Sequence, residues 1–380
     1  MKIAVNTRLL LKNKLEGIGW FTYESFKRIV AAHPEHEFYF IFDRKYDSDF
    51  IFADNVTPII VGPPARHPLL HFIWYEFSIP RVLKKIKPDI FISPDAFISL
   101  RSKYTDLIVI HDLNFEHFPE YLPSLWRGYY KYFTPKFAKK VTRIATVSNY
   151  SKNDIVEQYG VNSKKIDVVY NGSGDIFKPL SKKDKEATKE KYTNGIDYFV
   201  FVGALNPRKN LSNIFKAFDI FKLKSKANTK FVVVGEKMYW SDDIKSAYTE
   251  MKYGDDVVFT GRLEPDVLSK VVGSSVALVY ASLFEGFGIP IIEAFSSEIP
   301  VITSNITAMP EIASDAAILV NPNDINEIAD AMNKIFSDKN FALSLIEKGK
   351  KRKLSFTWDR TAENVWTSIM NTLELKDKNI

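Results

Sequence analysis

Residues 282–300, SLFEGFGIPIIEAFSSEIP, place Glu285 and Glu293 eight positions apart, with Gly286, Phe287, Gly288, Ile289 and Pro290 in between. The preceding run, Val276-Ala277-Leu278-Val279-Tyr280, is apolar and rich in β-branched residues, the pattern of a buried parallel strand. After Pro290, the residues Ile291, Ile292, Ala294 and Phe295 fit a helix, and proline near its first turn loses no needed donor. The glycines therefore occupy a strand-to-helix loop whose amides lie at the positive end of a helix, a setting that favours phosphates and sugar hydroxyls. One glutamate sits in the loop and the other about two turns further on, so both can face one crevice. Taken alone, the spacing also fits an ordinary connection with two surface glutamates.

The totals bound the rest. A length of 380 residues suggests two domains, and 46% hydrophobic with 26% charged residues is an ordinary globular composition. The 52 basic against 46 acidic residues leave a net charge of +6. That excess suits anionic ligands such as nucleotide diphosphates, or an anionic membrane surface. No nucleic-acid-binding motif is present, so nucleic acid is not an expected partner. The absence of cysteine excludes disulfides and thiolate metal sites. The start, MKIAVNTRLLLKNKLEG, reads as a first strand rather than a signal peptide, because Asn6 and Arg8 break its apolar run. No stretch reaches the roughly 20 apolar residues of a membrane span. The expected location is the cytoplasm, with work at the inner face of the membrane as an option.

In the first half, a strand over residues 2–6 is followed by Gly17-Ile18-Gly19 and a helical pattern over residues 20–31. A glycine loop there means either close backbone approach, as to a phosphate, or a plain tight turn. Apolar runs at residues 37–42, 58–61, 89–92 and 107–110 alternate with helical segments, which predicts a mostly parallel sheet. Residues 71–87 and 126–143 mix aromatic and basic side chains. They suit either half-buried helices with snorkelling lysines or a peripheral membrane face. The strand at 107–110 ends in His111-Asp112, at the edge where open α/β sheets bind ligands, although a lone histidine is also common in structural roles. Ser148 or Asn149 caps a helix running to Tyr159. The polar, charged stretch over residues 180–195 marks a boundary between domains.

The second half restarts as a strand at residues 198–202, followed by Gly203-Ala-Leu-Asn-Pro207-Arg208-Lys209-Asn210 and a helix with Leu211, Ile214, Phe215, Phe218 and Phe221 on one face. Gly203 permits a tight turn. Arg208 and Lys209 then offer a planar fork and a point charge beside bare helix amides, unless they are merely solvated. Further strands are expected at residues 230–234, 257–260 and 300–303. A terminal helix from about residue 358 carries Ala362, Val365, Trp366, Ile369, Met370 and Leu373 on one face.

Glu285-Gly-Phe-Gly-Ile-Pro-x-x-Glu293 resembles the Glu-x7-Glu signature of family 4 glycosyltransferases, retaining enzymes with the GT-B fold. The resemblance covers nearly the whole chain and is strongest over residues 198–311. It implies an α/β fold of two Rossmann-like domains facing across a cleft, with a C-terminal helix crossing back to the N-terminal domain. The corresponding boundaries are an acceptor-side domain at 1–178, a nucleotide-sugar-binding domain at 179–358 and the returning helix at 359–380.

The resemblance also assigns roles. Arg208 and Lys209 match the diphosphate clamp, and His111 matches an active-site histidine that faces the donor sugar. The amides of Phe287, Gly288 and Ile289 would hold sugar hydroxyls, with Glu285 accepting from the sugar and Glu293 taking the ribose hydroxyls. Gly17 and Gly19 match a loop facing the cleft and are expected among the donor-binding residues. Gly203 matches the turn before the clamp, and Arg262 follows a landmark of the nucleotide pocket. No metal ligands and no cofactor are implied, only the nucleotide-sugar donor as substrate.

The implied activity is transfer of a hexose from a GDP- or UDP-sugar to a glycan or lipid-linked glycan, as in bacterial mannosyl- and rhamnosyl-type enzymes of surface polysaccharide assembly, with GDP-mannose favoured. A GT-B-fold sugar-nucleotide epimerase and a non-catalytic nucleotide-binding subunit are the alternatives. The residues themselves do not specify base, sugar or acceptor.

Overall fold

The computed structural model of the chain describes residues 1–236 and 240–377. Two compact units are present, one formed by Met1–Asn171 together with the chain from Trp358 onward, the other by Gly172–Thr357.

The first unit is built on seven parallel strands, β1 (Lys2–Asn6), β2 (Glu37–Phe42), β3 (Val56–Ile60), β4 (Ile90–Ser93), β5 (Asp106–Ile110), β6 (Arg143–Thr146) and β7 (Ile166–Val168). Their order is β3-β2-β1-β4-β5-β6-β7, so the winding direction reverses between β1 and β4. Alternation along each strand feeds two cores. Phe38 and Phe40 of β2, Ile90 and Ile92 of β4, and Leu107 and Val109 of β5 point to one face. Ile41, Phe91, Ile108 and Ile110 point to the other.

The first of these cores is closed by Phe21, Phe26 and Ile29 of the helix Gly17–Ala32 and by Val365 and Ile369 of the terminal helix Trp358–Asp377. That helix is tied down at several points. Thr361 Oγ1 donates to the Tyr170 carbonyl at 2.7 Å, and Ser368 Oγ donates to Asp167 at 2.7 Å. The returning C-terminal helix is thus an integral part of the first unit.

The second unit holds six parallel strands, β8 (Tyr198–Val202), β9 (Lys230–Val234), β10 (Val257–Gly261), β11 (Ala277–Tyr280), β12 (Val301–Ser304) and β13 (Ile318–Val320). The order is β10-β9-β8-β11-β12-β13, which puts its reversal between β8 and β11. In an open α/β sheet the crevice for ligands opens at the carboxyl ends of the strands beside such a reversal.

Some boundaries differ from the sequence reading. The first helix starts at Gly17 rather than residue 20, so Gly17-Ile18-Gly19 is its first turn and not the loop before it. A Cβ on Gly19 would sit 2.9 Å from the Leu9 carbonyl oxygen, whereas one on Gly17 would meet nothing within 4 Å. Only Gly19 is held to glycine by a close approach. Residues 68–86 form one helical run interrupted by a π-helical turn at Trp74–Ser78. The aromatic stretch at 71–87 therefore builds core from Trp74, Tyr75, Ile79, Val82 and Leu83.

Candidate donor site and family

The loops after β8 and β11 meet at the reversal of the second sheet. Gly203 follows β8 with φ of 151°, and a short 3₁₀ turn, Pro207–Lys209, presents the two cations. That turn is anchored to the opposite loop. The Leu283 amide donates to the Arg208 carbonyl at 2.9 Å, and Asn210 Nδ2 donates to the carbonyls of Ala281 at 2.9 Å and Pro322 at 2.7 Å. Asn210 itself takes a left-handed conformation, φ 61°, ahead of the helix Leu211–Ser225. Asparagine tolerates that conformation better than most residues.

Held this way, Arg208 and Lys209 converge on Glu285. Arg208 Nη1 lies 3.0 Å from Glu285 Oε2 and donates to the Phe284 carbonyl at 2.5 Å. Lys209 Nζ lies 2.6 Å from Glu285 Oε1 and donates to the Tyr280 hydroxyl at 2.7 Å. All four side chains are largely buried. Burial alone would raise the Glu285 carboxyl, but the charges of Lys209 and Arg208 outweigh it and hold the pKa at about 2. Tyr280 goes the other way, its hydroxyl pushed well up by burial and by the Glu285 charge, so it stays neutral. Two cations around one carboxylate leave a local charge of one positive unit. Tyr280 was not singled out by sequence reasoning, because it sits inside an apolar strand run and reads there as core.

Gly203 belongs to a group of glycines at the strand ends. A Cβ on Gly235 would lie 1.9 Å from the Gly203 carbonyl oxygen, so the backbones after β8 and β9 touch directly. The Gly203 amide donates to the Val234 carbonyl at 2.9 Å, and the Gly235 amide to the Gly261 carbonyl at 3.0 Å. Gly261 closes β10, and the exposed Arg262 follows it.

The loop before the next helix has the expected order with one shift. Gly288, φ 97°, is the N-cap, and the helix is Ile289–Ser296 with Pro290 in its first turn. Phe287 is buried, with its ring edge-on to Phe356 at 5.6 Å between centroids. The first amides of a helix have no i−4 partner within it; here those of Gly288 and Ile289 belong to residues expected to meet a sugar, while the Ile291 amide donates to the Gly288 carbonyl at 3.0 Å.

Glu293 lies within the same helix. No hydrogen bond or ion pair from a described residue reaches its carboxyl. Desolvation by the surrounding protein raises its pKa to about 8, although part of its surface remains accessible. The two glutamates thus sit in opposite electrostatic settings.

The other expected residues belong to the first unit. His111 follows β5, its ring edge-on to Phe21 with 5.0 Å between centroids. Its Nε2 lies 2.9 Å from the Pro94 carbonyl oxygen. A carbonyl can only accept, so that nitrogen carries the proton and Nδ1 keeps its lone pair. Burial holds the imidazole below its ordinary pKa, consistent with a neutral ring. Ser148, not Asn149, caps the next helix, its Oγ accepting from the Ser151 amide at 3.0 Å.

Comparisons with known proteins agree with this architecture. Residues 182–352 match the model for glycosyl transferases group 1, and residues 17–173 match the model for glycosyltransferase family 4. The O-antigen chain mannosyltransferase B of Escherichia coli is 24% identical, across 99% of this chain and 100% of its own length. The O-antigen chain mannosyltransferase RfbU of Salmonella typhimurium is 28% identical across 84% of this chain and 87% of its own.

Among solved structures, a sucrose-phosphate synthase from Thermosynechococcus elongatus superposes with a TM-score of 0.79 at 15% identity, covering 98% of this chain and 99% of that one. Anabaena Alr3699/HepE, solved with UDP and glucose, gives a TM-score of 0.75 at 15% identity, covering 98% of this chain and 100% of that one. With a glycosyltransferase family 4 domain matched in one half, a glycosyl transferases group 1 domain in the other and the fold shared throughout, the chain is a glycosyltransferase of the GT-B type.

Proposed function

We propose that this glycosyltransferase moves a hexose from a nucleotide diphosphate sugar to a glycan or lipid-linked glycan, with retention at the sugar carbon and without a metal ion. The observation that carries the reading is the buried Arg208–Glu285–Lys209 cluster at the reversal of the second sheet, beside glycines that bring bare backbone to the same loops. A net positive, largely dehydrated cluster is suited to a diphosphate.

In this reading residues 179–358 hold the donor and residues 1–178 serve the acceptor. Arg208 and Lys209 meet the diphosphate, while Glu285 keeps both cations oriented and accepts from sugar hydroxyls through its remaining lone pairs. The amides at Phe287, Gly288 and Ile289 take further hydroxyls. Glu293 takes the ribose, and Gly203 lets the chain approach closely. Arg262 lines the base. Gly17 and Gly19 open the first helix on the acceptor side, and His111 is assigned a contact to the donor sugar as a neutral imidazole.

The bond from the sugar C1 to the diphosphate breaks with its electron pair going to the departing phosphate oxygen. Arg208 and Lys209 oppose the charge that grows there. The acceptor oxygen bonds to C1 on the same face, and its proton passes to that phosphate oxygen. No separate general base is required.

GDP-mannose is the favoured donor, supported by the two O-antigen mannosyltransferase relatives. A UDP-sugar is the alternative, supported by the UDP in the Anabaena structure. A peripheral membrane contact is part of the proposal. Leu69, Leu125 and Tyr132 are exposed, and Lys131, Lys136 and Lys139 lie along the same helix, Ser124–Lys140, as the latter two. Among the described residues, no helix is long and apolar enough to cross a membrane.

The test is incorporation of labelled mannose from GDP-mannose into a lipid-linked glycan fraction, in the presence of chelator. Incorporation that falls by orders of magnitude in Lys209→Ala supports the reading. Incorporation undiminished in that variant contradicts the mechanism, and donor isomerised without any acceptor points to the epimerase alternative.

A further inference from the structure

Far from the glutamates in sequence, the turn after the helix Gly17–Ala32 gathers His33, Glu35 and His36, with ligand atoms that all lie within 4.8 Å of one another. His33 Nδ1 is 3.5 Å from Glu35 Oε1, and His36 Nε2 is 3.4 Å from the same oxygen. A tetrahedral ion bound at about 2.0–2.1 Å spaces its ligand atoms by roughly 3.3–3.4 Å. The two histidine–glutamate separations are therefore close to those of a first coordination sphere, and the remaining pair of ligand atoms lies within 4.8 Å. Among the described residues, the Glu35 carboxylate pairs with these two imidazoles and with no lysine or arginine.

The scaffold beneath them is fixed. Asn55 Nδ2 lies 3.1 Å from the carbonyls of Val30 and His33 and 3.2 Å from that of His36, so one side chain ties the whole turn. Pro34 restricts the backbone between the ligands. On the terminal helix, the Trp366 ring stacks on His33 at 3.6 Å between centroids and lies 5.5 Å from the His36 ring at an interplanar angle of 24°. Two imidazoles held in this way lose little rotamer freedom on binding an ion. The Met1 amino nitrogen is 3.4 Å from His36 Nδ1.

We propose that His33, Glu35 and His36 form a site for one divalent transition ion of the zinc class, with water completing a tetrahedron, and that the ion braces this turn against the terminal helix. Two imidazole nitrogens and a carboxylate suit zinc, while magnesium and calcium favour all-oxygen sets. The site is independent of sugar transfer, which uses none of these residues.

The test uses the full chain without an affinity tag, titrated with zinc chloride by calorimetry in a non-coordinating buffer. One saturable site per chain is expected, weakened by at least about tenfold in Glu35→Gln and abolished in His33→Gln/His36→Gln. Glu35 is mostly exposed, so its replacement tests ligation with the packing kept. Copper ions should quench part of the tryptophan fluorescence, and that part should vanish in Trp366→Phe. Absence of a saturable site, or identical binding in the wild type and the variants, overturns the proposal.

Discussion

Glu285 and Glu293 are eight positions apart yet ionise in opposite directions, and the difference is measurable. Glu285, held at about 2 by Lys209 and Arg208 against its burial, contributes stability that is complete above its ordinary value of 4.5 and is lost as pH falls through about 2. Glu285→Gln should lower stability by about 3 kcal/mol at neutral pH, because it strands two buried cations, and this can be read from urea unfolding. The desolvated Glu293, raised to about 8, carries the reverse sign. Its contribution is complete below 4.5 and is lost as pH rises through about 8. Over that window, the stability of Glu293→Gln relative to wild type should therefore rise with pH, and a constant difference would contradict the assignment. The sequence displayed both carboxylates through their spacing and the glycines between them. It could not display their charge states, because the cations that set Glu285 come from a turn 76 residues away.

At the level of the element, the loops of the proposed donor site depend on contacts between backbones. Gly235→Ala would place a methyl group 1.9 Å from the Gly203 carbonyl oxygen, at a φ of 153° that only glycine adopts comfortably. A loss of about 3 kcal/mol or more, with weakened nucleotide binding, is the expected result from thermal unfolding and calorimetry. Gly203 was legible from its place after a strand, whereas its contact with Gly235 depends on β8 and β9 pairing and was not. The first helix shows a similar limit. Glycines weaken a helical pattern, so residues 17–19 read as loop, yet tertiary packing around Gly19 makes them the first turn. The helix Ser124–Lys140 carries a separate expectation. Leu125→Asp with Tyr132→Asp should reduce sedimentation with anionic vesicles while leaving the fold intact by circular dichroism, and unchanged sedimentation would remove the membrane contact from the account.

At the scale of the whole molecule, the first unit is completed by residues from the far end of the chain. Val365 and Ile369 are fully buried in it, and Thr361 and Ser368 bond to Tyr170 and Asp167. A chain ending at Thr357 should therefore lose cooperative unfolding of its first unit, which hydrogen exchange can localise. The apolar stripe of the terminal helix was plain in the sequence, but the face it covers followed only from the family resemblance. The two sheets were likewise legible as alternating strands and helices. Their winding order was not, because strand order depends on pairings that a single sequence does not display. Those orders matter, since they set the loops after β8 and β11 side by side and bring Arg208 and Lys209 onto Glu285. The measurement that tests this account most directly is calorimetric titration of the purified chain with GDP, UDP and ADP, without added metal, beside Glu293→Ala. The account predicts preferential binding of one nucleotide, with GDP favoured, and weaker binding in the variant. Binding of none of the three, or equal binding by both proteins, would contradict the donor site.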